Sequence, residues 1–228
     1  MKKINIILGS ILAKIGNIFA GFSKKLLTNE RQIIKAKFLE DEQKNQIRET
    51  YDLNADSVVI DVGGYVGDWT SDIYSRYCCN IHIFEPIDKY IKILKKRFEK
   101  NNHIIIHEVG LSDRDGNVEF NILNDGTSLY RSGDKKEAAK IVNAADYFKN
   151  QGIENIDLMK INIEGGEYAL LQNLIDSGMM EHITDIQIQF HEIAGIEKTR
   201  MEELKTLLSR THRPTYQYEY IWENWTKI

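Results

Sequence analysis

Apolar residues in this chain fall into short blocks of two kinds, and the alternation of those blocks predicts the architecture. One kind is a continuous run rich in Val, Ile and Phe, such as SVVIDV (57–62), IHIF (81–84) and ITDIQIQF (183–190). Runs of that length and composition, closed by glycine or an acid, read as strands. In the other kind, apolar residues recur every three or four positions among Lys and Glu, which is the helical period. The predicted order is strand 57–62, helix 67–77, strand 81–85, helix 88–100, strand 104–110 and a hairpin strand 117–122. Strand 156–163, helix 167–176, strand 183–190, helix 197–210 and an aromatic-rich strand 215–222 follow. Short strands interleaved with helices argue a doubly wound α/β sheet.

Two N-terminal segments stand outside that alternation. Ile4, Ile7, Leu8, Ile11, Leu12, Ile15, Ile18, Phe19 and Phe22 form one apolar stripe flanked by Lys2, Lys3, Lys24 and Lys25, which predicts an amphipathic helix over 4–27. Lys14 interrupts the run that a signal peptide needs, and the stretch is too polar to span a bilayer. A helix packed on the domain or a partner, and a helix lying on a membrane surface, both remain open. Residues 29–51 predict a surface helix pair. The chain thus divides into a helical appendage, 1–50, and one domain, 51–228. At 228 residues and 42% apolar it can bury one substantial core.

Charge and cysteine narrow the partners. Net charge is −4 and the basic residues form no long patch, which disfavours nucleic acid. The only cysteines, Cys78 and Cys79, are adjacent. They read as buried or half-buried thiols in a reducing compartment, hence a cytoplasmic protein, with the inner membrane face open to residues 4–27.

The candidate chemistry begins at IDVGGYVG (60–67). Asp61 closes the first strand, and Gly63, Gly64 and Gly67 allow backbone conformations and close approaches that a Cβ blocks. The following helix would aim its free N–H groups at the same crevice. A dinucleotide loop asks for G-x-G-x-x-G. Counting from Gly63, this chain has Tyr65 and Asp68 at the later glycine positions, closer to the acid-x-G-x-G-x-G loop of S-adenosylmethionine enzymes, with Tyr65 for the middle glycine. Glu85, followed by Pro86, lies about 20 residues beyond the loop at the tip of the second strand, where such folds grip ribose hydroxyls. A nicotinamide enzyme would want the same acid.

Residues 157–167, DLMKINIEGGE, resemble the FkbM family of S-adenosylmethionine-dependent methyltransferases, whose fourth-strand motif reads approximately D-apolar-apolar-K-I-D-V-E-G-x-E. Asp157, Lys160, Ile161, Glu164, Gly165 and Glu167 match it. The 60–67 loop with FEP (84–86), GLSDRDG (110–116) and GTSL (126–129) also resemble the family. Together these run from about Ser57 to the C-terminus. The resemblance implies a class I, Rossmann-like, seven-stranded methyltransferase sheet. It also implies S-adenosylmethionine as cofactor and O-methyl transfer to a sugar hydroxyl of a bacterial surface glycan or related metabolite. Gly63 to Gly67 would approach the methionine part of the cofactor, Glu85 the ribose, and the turn Val109-Gly110-Leu111 the adenine, with Asn162 at the same strand ends. Two positions depart from the family: Tyr65 replaces a usual Asn, and Asn162 replaces an Asp, keeping its size but losing its charge.

Lys160, Glu164 and His191 are the candidates for base or orienting group. His191 follows the strand 183–190, so it emerges at a strand tip with a pKa near neutrality; capping that strand end is its alternative role. Glu164 and Glu167 could equally begin the next helix. Asn162, Glu164 and Glu192 have no diagnostic metal spacing, so no metal is expected. Tyr216, Tyr218, Tyr220, Trp222 and Trp225 read as packing on a strand before they read as a sugar platform. A nicotinamide oxidoreductase is disfavoured by the glycine spacing and by the 157–167 motif. A catalytically degenerate binding protein is the remaining alternative, motivated by Tyr65 and Asn162.

Overall fold

The structure is a computed structural model that describes residues 29–123, 126–128, 135–192 and 197–228. The amphipathic segment 4–27 and Leu129 lie outside those residues. Two compact units divide the chain, Met1–Asn45 and Gln46–Ile228. The described part of the first is a single helix, α1, over 29–45. The second helix predicted there is a turn. Gln46 has a left-handed backbone (φ 49°), and the Glu49 N–H donates back to the Gln46 carbonyl at 3.0 Å.

The second unit carries a seven-stranded sheet. Its strands are β1 (Val58–Val62), β2 (Asn80–Phe84), β3 (Ile104–His107), β8 (Ile156–Ile161), β9 (Ile183–Ile188), β10 (His212–Tyr218) and β11 (Trp222–Lys227). They lie in the order β3-β2-β1-β8-β9-β11-β10. β3, β2, β1, β8 and β9 are mutually parallel, and β11 runs antiparallel to both its neighbours. This is the expected class I, Rossmann-like sheet. Its middle strands are apolar on both faces because helices cover both. Val59, Ile81, Ile83 and Leu158 pack with Ile73 of α2 (Asp68–Tyr77) and Leu94 of α3 (Asp88–Arg97). Ile60, Val62, Phe84, Met159 and Ile161 face the other way. They pack with Phe148 of α4 (Ala144–Gln151), Leu170 of α5 (Glu167–Asp176) and Leu204 of α6 (Glu197–Leu208).

A smaller sheet, in the order β4-β7-β5-β6, is built from β4 (Gly110–Ser112), β5 (Gly116–Leu123), β6 (Gly126–Ser128) and β7 (Lys135–Asn143). The predicted strand 104–110 is therefore two strands in different sheets. β7 and α4 are absent from the sequence prediction. KKEAAKIVN has weak strand propensity, and it is made a strand by its antiparallel register with β5, from Gly116↔Ile141 to Ile122↔Lys135, and by its parallel pairing with β4. α4 did leave a signal: the Asn143 side chain accepts the Asp146 N–H as an N-cap. The predicted strand 215–222 also divides, at a turn where Tyr220 is left-handed (φ 56°) and Ile221 donates to the Tyr218 carbonyl at 2.8 Å. No helix among the described residues is long and apolar enough to cross a membrane.

Candidate active site

Register alone brings the first pair of charges together. β1 and β8 are parallel neighbours with Asp61 opposite Lys160, so their side chains leave the same face of the sheet. Lys160 Nζ donates to Asp61 Oδ1 and to the Gly63 carbonyl, each at 2.8 Å. Thr70 on α2 donates its hydroxyl to Asp61 Oδ2 at 2.7 Å. Both charged side chains are buried, and such burial is tolerated only when each ion is paired and its remaining sites are bonded. The result ties strand, loop and helix at one point.

The glycine loop then has little freedom. Gly63 is left-handed (φ 83°), and a Cβ there would lie 2.2 Å from the Asn162 carbonyl oxygen. A Cβ on Gly64 would meet Ile83 Cγ2 at the same distance. Tyr65 is also left-handed (φ 50°) and sets its ring against Tyr90, with centroids 4.6 Å apart. Its N–H donates to Glu85 Oε2 at 2.9 Å, while Ile87 donates its N–H to Glu85 Oε1 at 3.0 Å. Burial pushes the Glu85 carboxyl up to about 7, against the opposing pull of those two amides and of Lys160.

Across the crevice, the chain leaving β8 turns sharply through Glu164 (φ 51°) and Gly165 (φ 108°) into α5. Glu167, wholly buried, accepts the Gly165 N–H on Oε2 at 2.8 Å. Its Oε1 accepts the His191 N–H at 2.7 Å and stands 3.2 Å from His191 Nδ1. His191 Nε2 lies 3.3 Å from Glu164 Oε1. Burial works to lower the His191 pKa, but the Glu164 and Glu167 carboxylates outweigh it and raise the group to about 9. The near-neutral histidine expected from the sequence is thus a charged one, with no lone pair for a proton at pH 7.

These elements enclose a cavity of about 360 Å³ at the carboxyl ends of the strands. Of the residues singled out in the sequence, Gly63, Gly64, Tyr65, Glu85, Pro86, Lys160, Asn162 and Glu164 line it. The rest are not in its wall. Asp61 is buried beneath Lys160, Gly67 caps α2, and His191 stands behind Glu164. Val109, Gly110 and Leu111 do not line the cavity either, although Gly110 packs beside Pro86, which does. Gly110 and Leu111 begin β4, while Val109 and Leu111 are buried in the core. Sequence reasoning missed Arg48, Trp69, Asp72 and Tyr90, which also line the cavity. Trp69 and Asp72 are three apart at the start of the helix after the loop, a spacing that could have marked them. Arg48 left no such signal; its carbonyl accepts from Trp69 Nε1 and Gln187 Nε2, and its guanidinium lies 4.1 Å from the Trp222 ring centroid. Among the described residues, no three His, Cys, Asp or Glu side chains gather as a metal site.

The model of the methyltransferase FkbM domain matches residues 61–219. No curated protein sequence matches the chain significantly. Among solved structures, a putative rRNA-methylase from Clostridium thermocellum superposes with a TM-score of 0.51 at 13% identity, covering 82% of this chain and 94% of that one. A fibrillarin pre-rRNA processing protein from Methanococcus jannaschii gives a TM-score of 0.49 at 12% identity over 78% of this chain and 69% of that one. At such identities the first likeness is one of fold.

Proposed function

We propose, from the premise that this chain belongs to the FkbM methyltransferase family, that its acceptor is a hydroxyl of an uncharged sugar, in a surface glycan or a related metabolite. Family membership makes S-adenosylmethionine the cofactor and methyl transfer the activity. The residues present fit that cofactor. Glu85 lines the cavity with two accepting sites already filled by backbone amides, leaving the others for a ribose diol. The loop 63–67 offers backbone rather than side chain on that wall at Gly63 and Gly64.

When bound, the cofactor supplies an electrophilic methyl group on a sulfonium, whose S–C bond breaks as the acceptor's O–C bond forms. The protein's part is alignment and proton removal. Lys160 is committed to Asp61 and Gly63, which suits it to hold the loop rather than to act as a base. Glu164 presents a partly exposed carboxylate to the cavity and can accept the acceptor's hydroxyl proton.

The observation that carries the acceptor class is the charge of the wall. Among the described residues, and counting their ion-pair partners, the carboxylates of Glu49, Asp61, Asp68, Asp72, Glu85, Glu164 and Glu167 stand against Arg48, Arg76, Arg97, Lys160 and a charged His191. That excess of carboxylates repels phosphorylated or uronic acceptors and suits hydroxyls, with Tyr65, Trp69 and Tyr90 as apolar faces for a ring. The test is release of S-adenosylhomocysteine with a panel of neutral methyl glycosides beside their uronate and phosphate counterparts, with the product read by NMR. A new O-methyl signal from a neutral glycoside supports the reading. Turnover confined to anionic sugars, or to amines, overturns it.

A further inference from the structure

The Glu167–His191–Glu164 chain is more than a helix cap. A glutamate in the first turn of a helix commonly serves the free amides and the dipole, and that accounts for the Glu167 bond to the Gly165 N–H. It does not account for an imidazole set between two carboxylates. Glu167 is fully buried, and one of its oxygens serves both the backbone and the ring of His191. The Tyr168 hydroxyl donates to the His191 carbonyl at 2.8 Å, so the end of β9 is held on a second side. With Nδ1 fixed on Glu167, Nε2 can point only where Glu164 stands, 3.3 Å away. Burial falls outward along the chain: the Glu167 side chain is 0% exposed, His191 8% and Glu164 28%. Glu164 also keeps a left-handed backbone (φ 51°), which a non-glycine residue adopts only when its surroundings hold it there.

We propose that Glu167 and His191 are positioning residues, a buried carboxylate–imidazole buttress that holds the Glu164 carboxylate at the cavity wall to receive the acceptor's hydrogen bond and proton. This rests on the hydroxyl-acceptor reading above. The hydroxyl proton passes to Glu164 as the acceptor oxygen becomes acidic, and from Glu164 to solvent. His191 keeps both its protons throughout. Its charge separates two carboxylates that would otherwise compete for a shared proton. A carboxylate is a weak base, and that is enough because the oxygen loses basicity as its new bond forms.

The buttress can be tested without knowing the acceptor. His191 ring resonances are titrated by NMR in protein saturated with S-adenosylhomocysteine, in the wild type, Glu167→Gln and Glu164→Gln. The wild-type ring should stay protonated through pH 8, and each substitution should move its midpoint down by about one pH unit or more. Binding of S-adenosylhomocysteine by Glu164→Gln should remain near wild type in calorimetry. If Glu167→Gln fails to fold, the more exposed Glu164→Gln decides alone. With any glycoside that is turned over, Glu164→Gln should lower kcat about a hundredfold. Glu167→Gln should lower it up to about a hundredfold with little change in KM. A His191 midpoint near 6.5 in the wild type, or one that neither substitution moves, overturns the buttress. Coupled titration with no glycoside accepted supports the buttress and counts against the sugar acceptor instead.

Discussion

Lys160→Met tests whether the Asp61–Lys160 pair is the tie that its geometry suggests. The change keeps most of the side-chain length and removes the ammonium from a pair whose side chains are 6% and 1% exposed. Breaking a buried pair by removing one partner costs about 3–5 kcal/mol, because the survivor is left charged in a poor solvent. Here Thr70 still donates to Asp61, which moves the expectation to the lower half of that range, while the Gly63 carbonyl loses its donor and adds about 1 kcal/mol. For a unit spanning Gln46–Ile228, each kcal/mol is worth about 2–4 °C in melting temperature. The measurement is urea unfolding followed by tryptophan fluorescence, with calorimetry beside it. Asp61→Asn combined with Lys160→Met should cost less than the sum of the two single changes, by about 0.5–3 kcal/mol. S-adenosylhomocysteine affinity should fall as well, since the loop carbonyl loses its anchor. A loss below about 1 kcal/mol with additive single effects refutes the tie. So does intact stability with abolished turnover, which is how a base would behave.

Three further outcomes follow from the same geometry. Glu85, raised from 4.5 to about 7 mainly by burial, favours its neutral form in the folded protein. Its contribution to stability is therefore full below pH 4.5 and lost as pH rises through 7; Glu85→Gln should flatten that slope in urea unfolding. Ribose hydroxyls donate to the ionised form, so S-adenosylhomocysteine binding to the wild type should weaken from pH 8 to pH 6, and pH-independent binding would contradict this role. Gly63→Ala puts a Cβ 2.2 Å from the Asn162 carbonyl oxygen at φ 83°, so it should cost more than about 1 kcal/mol in thermal unfolding and depress cofactor affinity. Cys78 is exposed, while Cys79 is buried with its thiol pushed up to about 11 by burial. A thiol-reactive dye should label one cysteine in native protein and two in denaturant; two in the native state would show that the end of α2 is misassigned.

Local chemistry made much of this protein legible in the sequence. The buried parallel strands read as apolar runs because both faces are covered, and the period of the helices survived the many charges between their apolar positions. Gly63 and Gly64 were visible because their sites exclude a Cβ, and the 157–167 motif marked the cavity wall with Asn162 and Glu164 together. What the sequence could not carry depended on partners far along the chain. β7 is a strand through its register with β5 and β4, and β3 and β4 separate because they pair in different sheets. Lys160 meets its carboxylate, 99 residues away along the chain, only through the parallel register of β1 and β8. His191 reads as a neutral-pH base from its own pKa, yet it is charged because the turn after β8 and the start of α5 bring two carboxylates to its ring. Propensity and motif act over a few neighbouring residues and leave their trace in the sequence. Protonation and role are set by the field of side chains that only the tertiary fold brings together.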